Sequence, residues 1–299
     1  MLDNSSVLDD NIFVYIFMQY INVERKDYMN IISVIQSCIL GIVEGITEWL
    51  PISSTGHMIL VNEFMGIKKG DFFDSQIFLY VIQLGAILAI ATLYFNKLNP
   101  FSRSKTPTEK KDTWQMWFKV IVACVPAAVL GLLFNDAMDA ISTPIVVSIM
   151  LIVYGVGFIY IERKNKNAIV TDMNSMTYKT ALIIGLFQVL SIIPGTSRSG
   201  ATILGAMMIG SSRALAAEFS FFLAIPVMFG VSFLKIVTNE YVMTGNEWIL
   251  LLTAMAVAYV VSMLTVKFLM NYVRKHDFKL FGYYRIILGI LVILYFSIF

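Results

Sequence analysis

Charge is what this chain has least of. Lys, Arg, Asp and Glu make up 14% of 299 residues, 58% are hydrophobic, and the mean hydropathy is +0.76. A soluble domain of this size could not hide so much apolar surface, so the composition points to a polytopic membrane protein. The net charge of +2 offers no basic surplus with which to hold nucleic acid. Thiol chemistry is equally thin. Cys38 and Cys124 both lie in apolar runs without metal-type spacing and read as small core residues.

The N-terminus lacks what a secretory signal needs. Asp3, Asp9 and Asp10 stand where a basic leader would be, and the apolar run Ile12 to Ile21 is too short to span a bilayer. We therefore expect residues 1–28 to be an extension outside the fold, the other reading being an interfacial helix. Residues 29–299 are expected to form one membrane-embedded domain.

Six apolar runs are long enough to span: roughly 75–95, 116–134, 143–161, 214–237, 248–270 and 282–299. The connections 96–115, 162–179 and 271–281 are rich in Lys and Arg, whereas 135–142 and 238–247 have none. The positive-inside rule puts the basic loops in the cytoplasm, and the six spans then alternate. Lys68, Lys69 and Lys235 are mild exceptions. Two segments, about 31–66 and 180–211, are left over. Each is apolar at both ends and polar in the middle, and each must begin and end on the same side. The expected fold is thus all-α: six transmembrane helices plus two re-entrant helical hairpins inserted from opposite faces. With Gly41 set against Gly185, Ser53 meets Ser197, Gly56 meets Gly200, Ile59 meets Ile203 and Leu60 meets Leu204. Opposite insertion makes this an inverted-topology repeat, whose broken helices should meet near the midplane. It diverges where Glu44 faces Gln188, Glu48 faces Ile192, Ser54 faces Arg198 and His57 faces Ala201.

The polar centres of these hairpins are the candidate chemistry, because lipid does not tolerate such clusters unless protein or water covers them. Glu44 and Glu48 share a helix face. Two bare carboxylates so placed repel, and a divalent cation, Mg²⁺ or Ca²⁺, would remove the conflict. A proton-carrying pair, or acids capped by backbone amides, would also serve. Ser53 after Pro51 suits a helix N-cap. Ser54 and His57, three apart, are expected to face each other as an activated nucleophile and its base. Arg198, among Gly195, Ser197, Ser199 and Gly200, can hold phosphate oxygens bidentately beside approachable backbone amides, or pair with Glu44 or Glu48.

The stretches EGITEWLPISSTGH at 44–57 and PGTSRSGAT at 194–202 resemble the two signature regions of the undecaprenyl-diphosphate phosphatase family, the bacitracin-resistance membrane phosphatases. The resemblance covers roughly Met29 to Phe299. It implies hydrolysis of undecaprenyl diphosphate to undecaprenyl phosphate and phosphate, which recycles the carrier lipid for cell-wall synthesis. It also implies a multi-pass protein of the bacterial plasma membrane with its site open to the outer side, and leaves room for a homodimer. Carried over, Glu44 and Glu48 correspond to the family's acidic pair, Ser54 to the proposed nucleophile, His57 to the essential histidine and Arg198 to the phosphate-binding arginine; water activated by His57 or by a glutamate such as Glu48 is the other nucleophile open to the site. Ser53, Thr55, Ser197, Ser199 and Gly195 complete the expected substrate-binding set. Inverted repeats with broken helices also suit a transporter or lipid flippase. The Ser54–His57 pair favours the enzyme, since a carrier needs no nucleophile.

Overall fold

The structure is a computed structural model that describes residues 30–164, 168–238 and 241–298; the expected extension 1–28 lies outside them. The principal helices are α1 (Ile31–Thr47), α2 (Ser54–Phe64), α3 (Gln76–Leu93), α4 (Pro107–Ala140), α5 (Pro144–Lys164), α6 (Tyr178–Val189), α7 (Arg198–Met208), α8 (Arg213–Thr238), α9 (Gly245–Lys275) and α10 (Lys279–Ile298). Among the described residues six helices are long and apolar enough to cross a membrane: α3, α4 over Pro107–Phe134, α5, α8, α9 and α10. They coincide with the six runs expected from hydropathy.

Helix ends fall where the sequence offers caps. Ser75 Oγ accepts the Phe78 N–H at the start of α3, and Thr177 Oγ1 accepts from Thr180 at the start of α6. Thr244 and Glu247 form a reciprocal capping box at α9. Two helices outrun the expected spans. α4 begins at Pro107, where the missing N–H costs nothing, and Thr106 and Glu109 bond each other's backbone N–H groups. α9 runs to Lys275, because Arg274 and Lys275 suit the negative end of the helix dipole. The basic connection after it therefore shrinks to 276–278.

The helices pack where small residues let backbones approach. α1 lies on α9, α6 on α4, and α5 on α10. A Cβ on Gly41 would stand 2.6 Å from Ala254 O, and one on Gly45 2.9 Å from Ala258 O. Gly185 meets the Ala123 backbone of α4 just as closely, and Gly155 and Gly282 meet each other across α5 and α10. Gly157, by contrast, faces only the Leu204 side chain. Lipid gives no hydrophobic drive between helices, so this close packing supplies the cohesion. The outward faces are aliphatic: Ile31, Ile35, Ile42 and Ile46 of α1 are all exposed, while Glu44 on the opposite face is only 2% exposed.

Gly41→Ala should therefore push α1 off α9 and lower the unfolding temperature in detergent, by the ~1–3 kcal/mol typical of overpacking. Gly131→Ala, whose new methyl would meet nothing within 4 Å, should be neutral or slightly stabilising. Equal melting of the two variants would refute the contact as a packing constraint.

Candidate active site

Two elbows interrupt the short helices. α1 ends as the Glu48 N–H closes on Glu44 O at 3.0 Å, and Pro51, with no N–H, cannot continue it. Ser53 then takes φ +74° and its Oγ accepts the Gly56 N–H at 3.4 Å, which starts α2. The second elbow repeats this. Ser197 takes φ +69° and its Oγ accepts the Gly200 N–H at 3.1 Å, which starts α7. These are the only non-glycine residues with left-handed φ among the described residues, a conformation that costs free energy and marks functional turns. Gly195, at φ +87°, runs so close to the Val147 backbone that a Cβ would lie 2.5 Å from its Cα, so only glycine fits. The expected N-cap role of Ser53 is what the structure has, and Ser197 mirrors it.

The elbows meet through charge. Arg198 Nη2 bonds Glu48 Oε1 at 3.0 Å, with both side chains about nine-tenths buried. Arg198 Nη1 donates to Ser220 O on α8 at 2.7 Å, and the guanidinium lies 5.8 Å from the Trp49 ring centroid. Ser54 Oγ donates to the other Glu48 oxygen, Oε2, at 2.9 Å. Ser199 Oγ reaches the carbonyls of Glu48 and Leu50, each at 3.2 Å. Ser54, Glu48, Arg198 and Ser199, from opposite halves of the chain, thus form one connected group. Glu44 lies a turn behind, and its buried Oε1 has no hydrogen-bond partner among the described residues; nor have Arg198 Nε and Thr196 Oγ1.

His57 is placed differently from expectation. It does not bond Ser54. Its Nδ1 lies 2.7 Å from Ser53 O and its Nε2 2.6 Å from the hydroxyl of Tyr284 on α10, with the two rings parallel. A carbonyl can only accept, so Nδ1 carries a proton, and in the neutral ring Nε2 accepts from Tyr284. Both ring nitrogens are committed, which leaves Glu48 as the base in contact with Ser54. Glu218 on α8 pairs with Lys97 at 2.8 Å. Thr55 is exposed at the first turn of α2. The Gly195 carbonyl accepts from Arg285, again on α10.

Tyr284, Arg285 and Ser220 are the partners sequence reasoning missed. Arg285 did carry a signal, as the sole charge in the apolar run 282–299. Tyr284 and Ser220 carried none. Among the described residues no three His, Cys, Asp or Glu side chains gather as a metal cage. Glu44 and Glu48 are the carboxylates that the described site offers to a hard cation.

Residues 37–291 match the family described as "Bacitracin resistance protein BacA". The chain is 59% identical over 268 residues to an undecaprenyl-diphosphatase of Enterococcus faecalis, covering 87% of this chain and 96% of that protein. It is 56% identical over 272 residues to an undecaprenyl-diphosphatase of Streptococcus thermophilus, with 89% and 94% covered. Undecaprenyl-diphosphatase 1 of Clostridioides difficile is 53% identical over 268 residues, with 89% and 97% covered. With its signature stretches on the two elbows and its match running through nearly the whole fold, this chain belongs to the BacA family of bacitracin resistance proteins.

Proposed function

We propose that this protein hydrolyses undecaprenyl diphosphate to undecaprenyl phosphate and inorganic phosphate, and so recycles the carrier lipid of cell-wall synthesis. The observation that carries the reading is the Ser54–Glu48–Arg198 chain, a hydroxyl, a carboxylate and a guanidinium in consecutive contact. Such a lipid has its diphosphate at the membrane interface and its tail in hydrocarbon, and a site enclosed by apolar helices receives both. Phosphoryl transfer needs positioning and charge neutralisation above all. Arg198 supplies a planar cation for phosphate oxygens, and the α2 and α7 N-termini add positive potential.

In the proposed course, Ser54 Oγ attacks the terminal phosphorus and its proton passes to Glu48 Oε2. The bond from that phosphorus to the bridging oxygen breaks, and undecaprenyl phosphate leaves with the bonding electrons. Water then splits the phosphoserine, releases phosphate and restores the serine. A phosphate engaging Arg198 competes with Glu48 Oε1 for the guanidinium, so substrate binding frees the carboxylate to take the proton. His57, with Nδ1 on Ser53 O and Nε2 on Tyr284, holds the first elbow in place beside the attacking serine rather than taking its proton. Glu44 and Glu48, hard carboxylate donors, would hold a divalent cation. The unpartnered, buried Glu44 oxygen supports that fit. Such a cation would neutralise charge on the diphosphate.

The two broken segments are read as re-entrant hairpins of an inverted repeat. Support comes from their matching left-handed serines, whose hydroxyls cap the following helices by accepting from the Gly56 and Gly200 N–H groups, and from the equivalent packing of Gly41 and Gly185 against alanine backbones. The site then opens to the outer side and the basic connections face the cytoplasm.

Three outcomes test the reading. Purified protein should release phosphate from a polyprenyl diphosphate, and a chelator should abolish the release while added Mg²⁺ or Ca²⁺ restores it. Full activity in chelator would remove the metal from the account; no phosphate release under any condition would remove the enzyme.

The second concerns the nucleophile. Ser54→Ala and Glu48→Gln should each cost at least ~10²-fold in kcat. A nucleophile and its base act as a unit, so the double variant should be little worse than either. Multiplying losses, or an active Ser54→Ala protein, would move the nucleophile to water.

The third is topological. In a background lacking Cys38 and Cys124, Thr55→Cys should react with an impermeant thiol reagent from outside, and Ser104→Cys only from the cytoplasm. External labelling at position 104 would reverse the orientation.

A further inference from the structure

Arg285 has no exposed surface at all, although it lies in the last membrane-spanning helix. A buried charge is costly unless paired, yet Arg285 forms no ion pair among the described residues. Its donors go instead to main-chain carbonyls. Nη1 bonds Pro51 O at 3.0 Å, in the first elbow. Nη2 bonds Gly195 O and Thr196 O, both at 3.1 Å, in the second. Longer bonds at 3.3 and 3.4 Å run from Nε to Leu151 O and from Nη2 to Met150 O on α5. The three elbow carbonyls belong to non-helical backbone, which at membrane depth needs partners from the protein. Gly200 makes room for them, since a Cβ there would lie 3.0 Å from Nη1.

We infer that Arg285 is a positioning residue for the reaction, one guanidinium that fixes both elbows and thereby sets Ser54 against Arg198. Each of those two residues opens the helix that follows its elbow, so the carbonyls Arg285 holds lie two or three residues from the reacting groups. Only a planar fork with five donors can serve two loops and a helix at once. A lysine ammonium presents three donors from a single point and cannot reach all of them. Arg285 also differs from Arg198, which is bound to a carboxylate and half-committed to substrate; Arg285 is committed to backbone throughout. The inference rests on the reading of the elbows as the active site.

The test compares Arg285→Lys and Arg285→Gln with Ser54→Ala and the parent protein, all in detergent. Two quantities are read: steady-state hydrolysis of a polyprenyl diphosphate, and amide hydrogen exchange across 51–57 and 194–200. Misplacement by about an ångström costs ~10²-fold in rate, so kcat should fall at least ~10-fold in Arg285→Lys. KM should stay within ~3-fold, because Arg198 still binds the diphosphate. Exchange should rise in both elbows together. Unchanged exchange in either elbow overturns the inference, as does a rise in KM with kcat preserved. Loosened elbows with full turnover overturn it too. In that case an inactive Ser54→Ala leaves the site reading standing, and an active one removes both. Failure of both Arg285 variants to fold would assign the residue to the fold as a whole and overturn the proposal.

Discussion

The ion pair between Glu48 and Arg198 is the contact on which the two halves of this protein depend. Each partner comes from a different broken helix, and each is enclosed by apolar helices. Alone, either charge would face a penalty of at least ~2.5–3.5 kcal/mol on insertion scales. Removing one member of such a buried pair typically costs ~3–5 kcal/mol, because the survivor is left uncompensated. Each elbow therefore supplies the countercharge that the other needs. The same contact that joins the elbows also brings the carboxylate, the serine hydroxyl and the guanidinium together.

That constraint has to be met by helices that gain nothing from hiding apolar surface in lipid. The glycines meet it. Gly41 and Gly45 bring α1 onto the α9 backbone, Gly185 brings α6 onto α4, and Gly195 brings the second elbow against α5. Each contact is an approach that a side chain would block, and each fixes where a polar segment sits among the helices. The left-handed serines then turn the chain there. Their strain is tolerated because each hydroxyl caps a helix and because carbonyls at both elbows are bound by Arg285.

Much of this was legible in the sequence, and for physical reasons. Hydropathy marks a span because the hydrocarbon thickness sets its length, and all six spans were found. The elbows were visible because polar residues in an apolar context are costly: Glu44, Glu48, Ser53, Ser54 and Arg198 stand out against their neighbours. What was not legible is pairing over distance. Spacing alone set Ser54 beside His57, since three residues is one helical turn. The left-handed φ of Ser53 instead aims the His57 ring at its own elbow and at Tyr284. Nothing local to 53–57 encodes a tyrosine more than 200 positions away. Ser220 was invisible for the same reason, as a small hydroxyl in an apolar helix with no local oddity.

The difference between the elbows explains why one chain would keep two of them. Ser53 and Ser197 do the same job, and the residue after each opens the following helix. In one half that residue is Ser54, in the other Arg198. Two helix starts built on the same capped turn are thus furnished with different side chains, a hydroxyl and a cation. Glu48 stands between them and touches both. With the hydroxyl on one side and the guanidinium on the other, the two halves diverge at the residue that opens each following helix, and one carboxylate holds both.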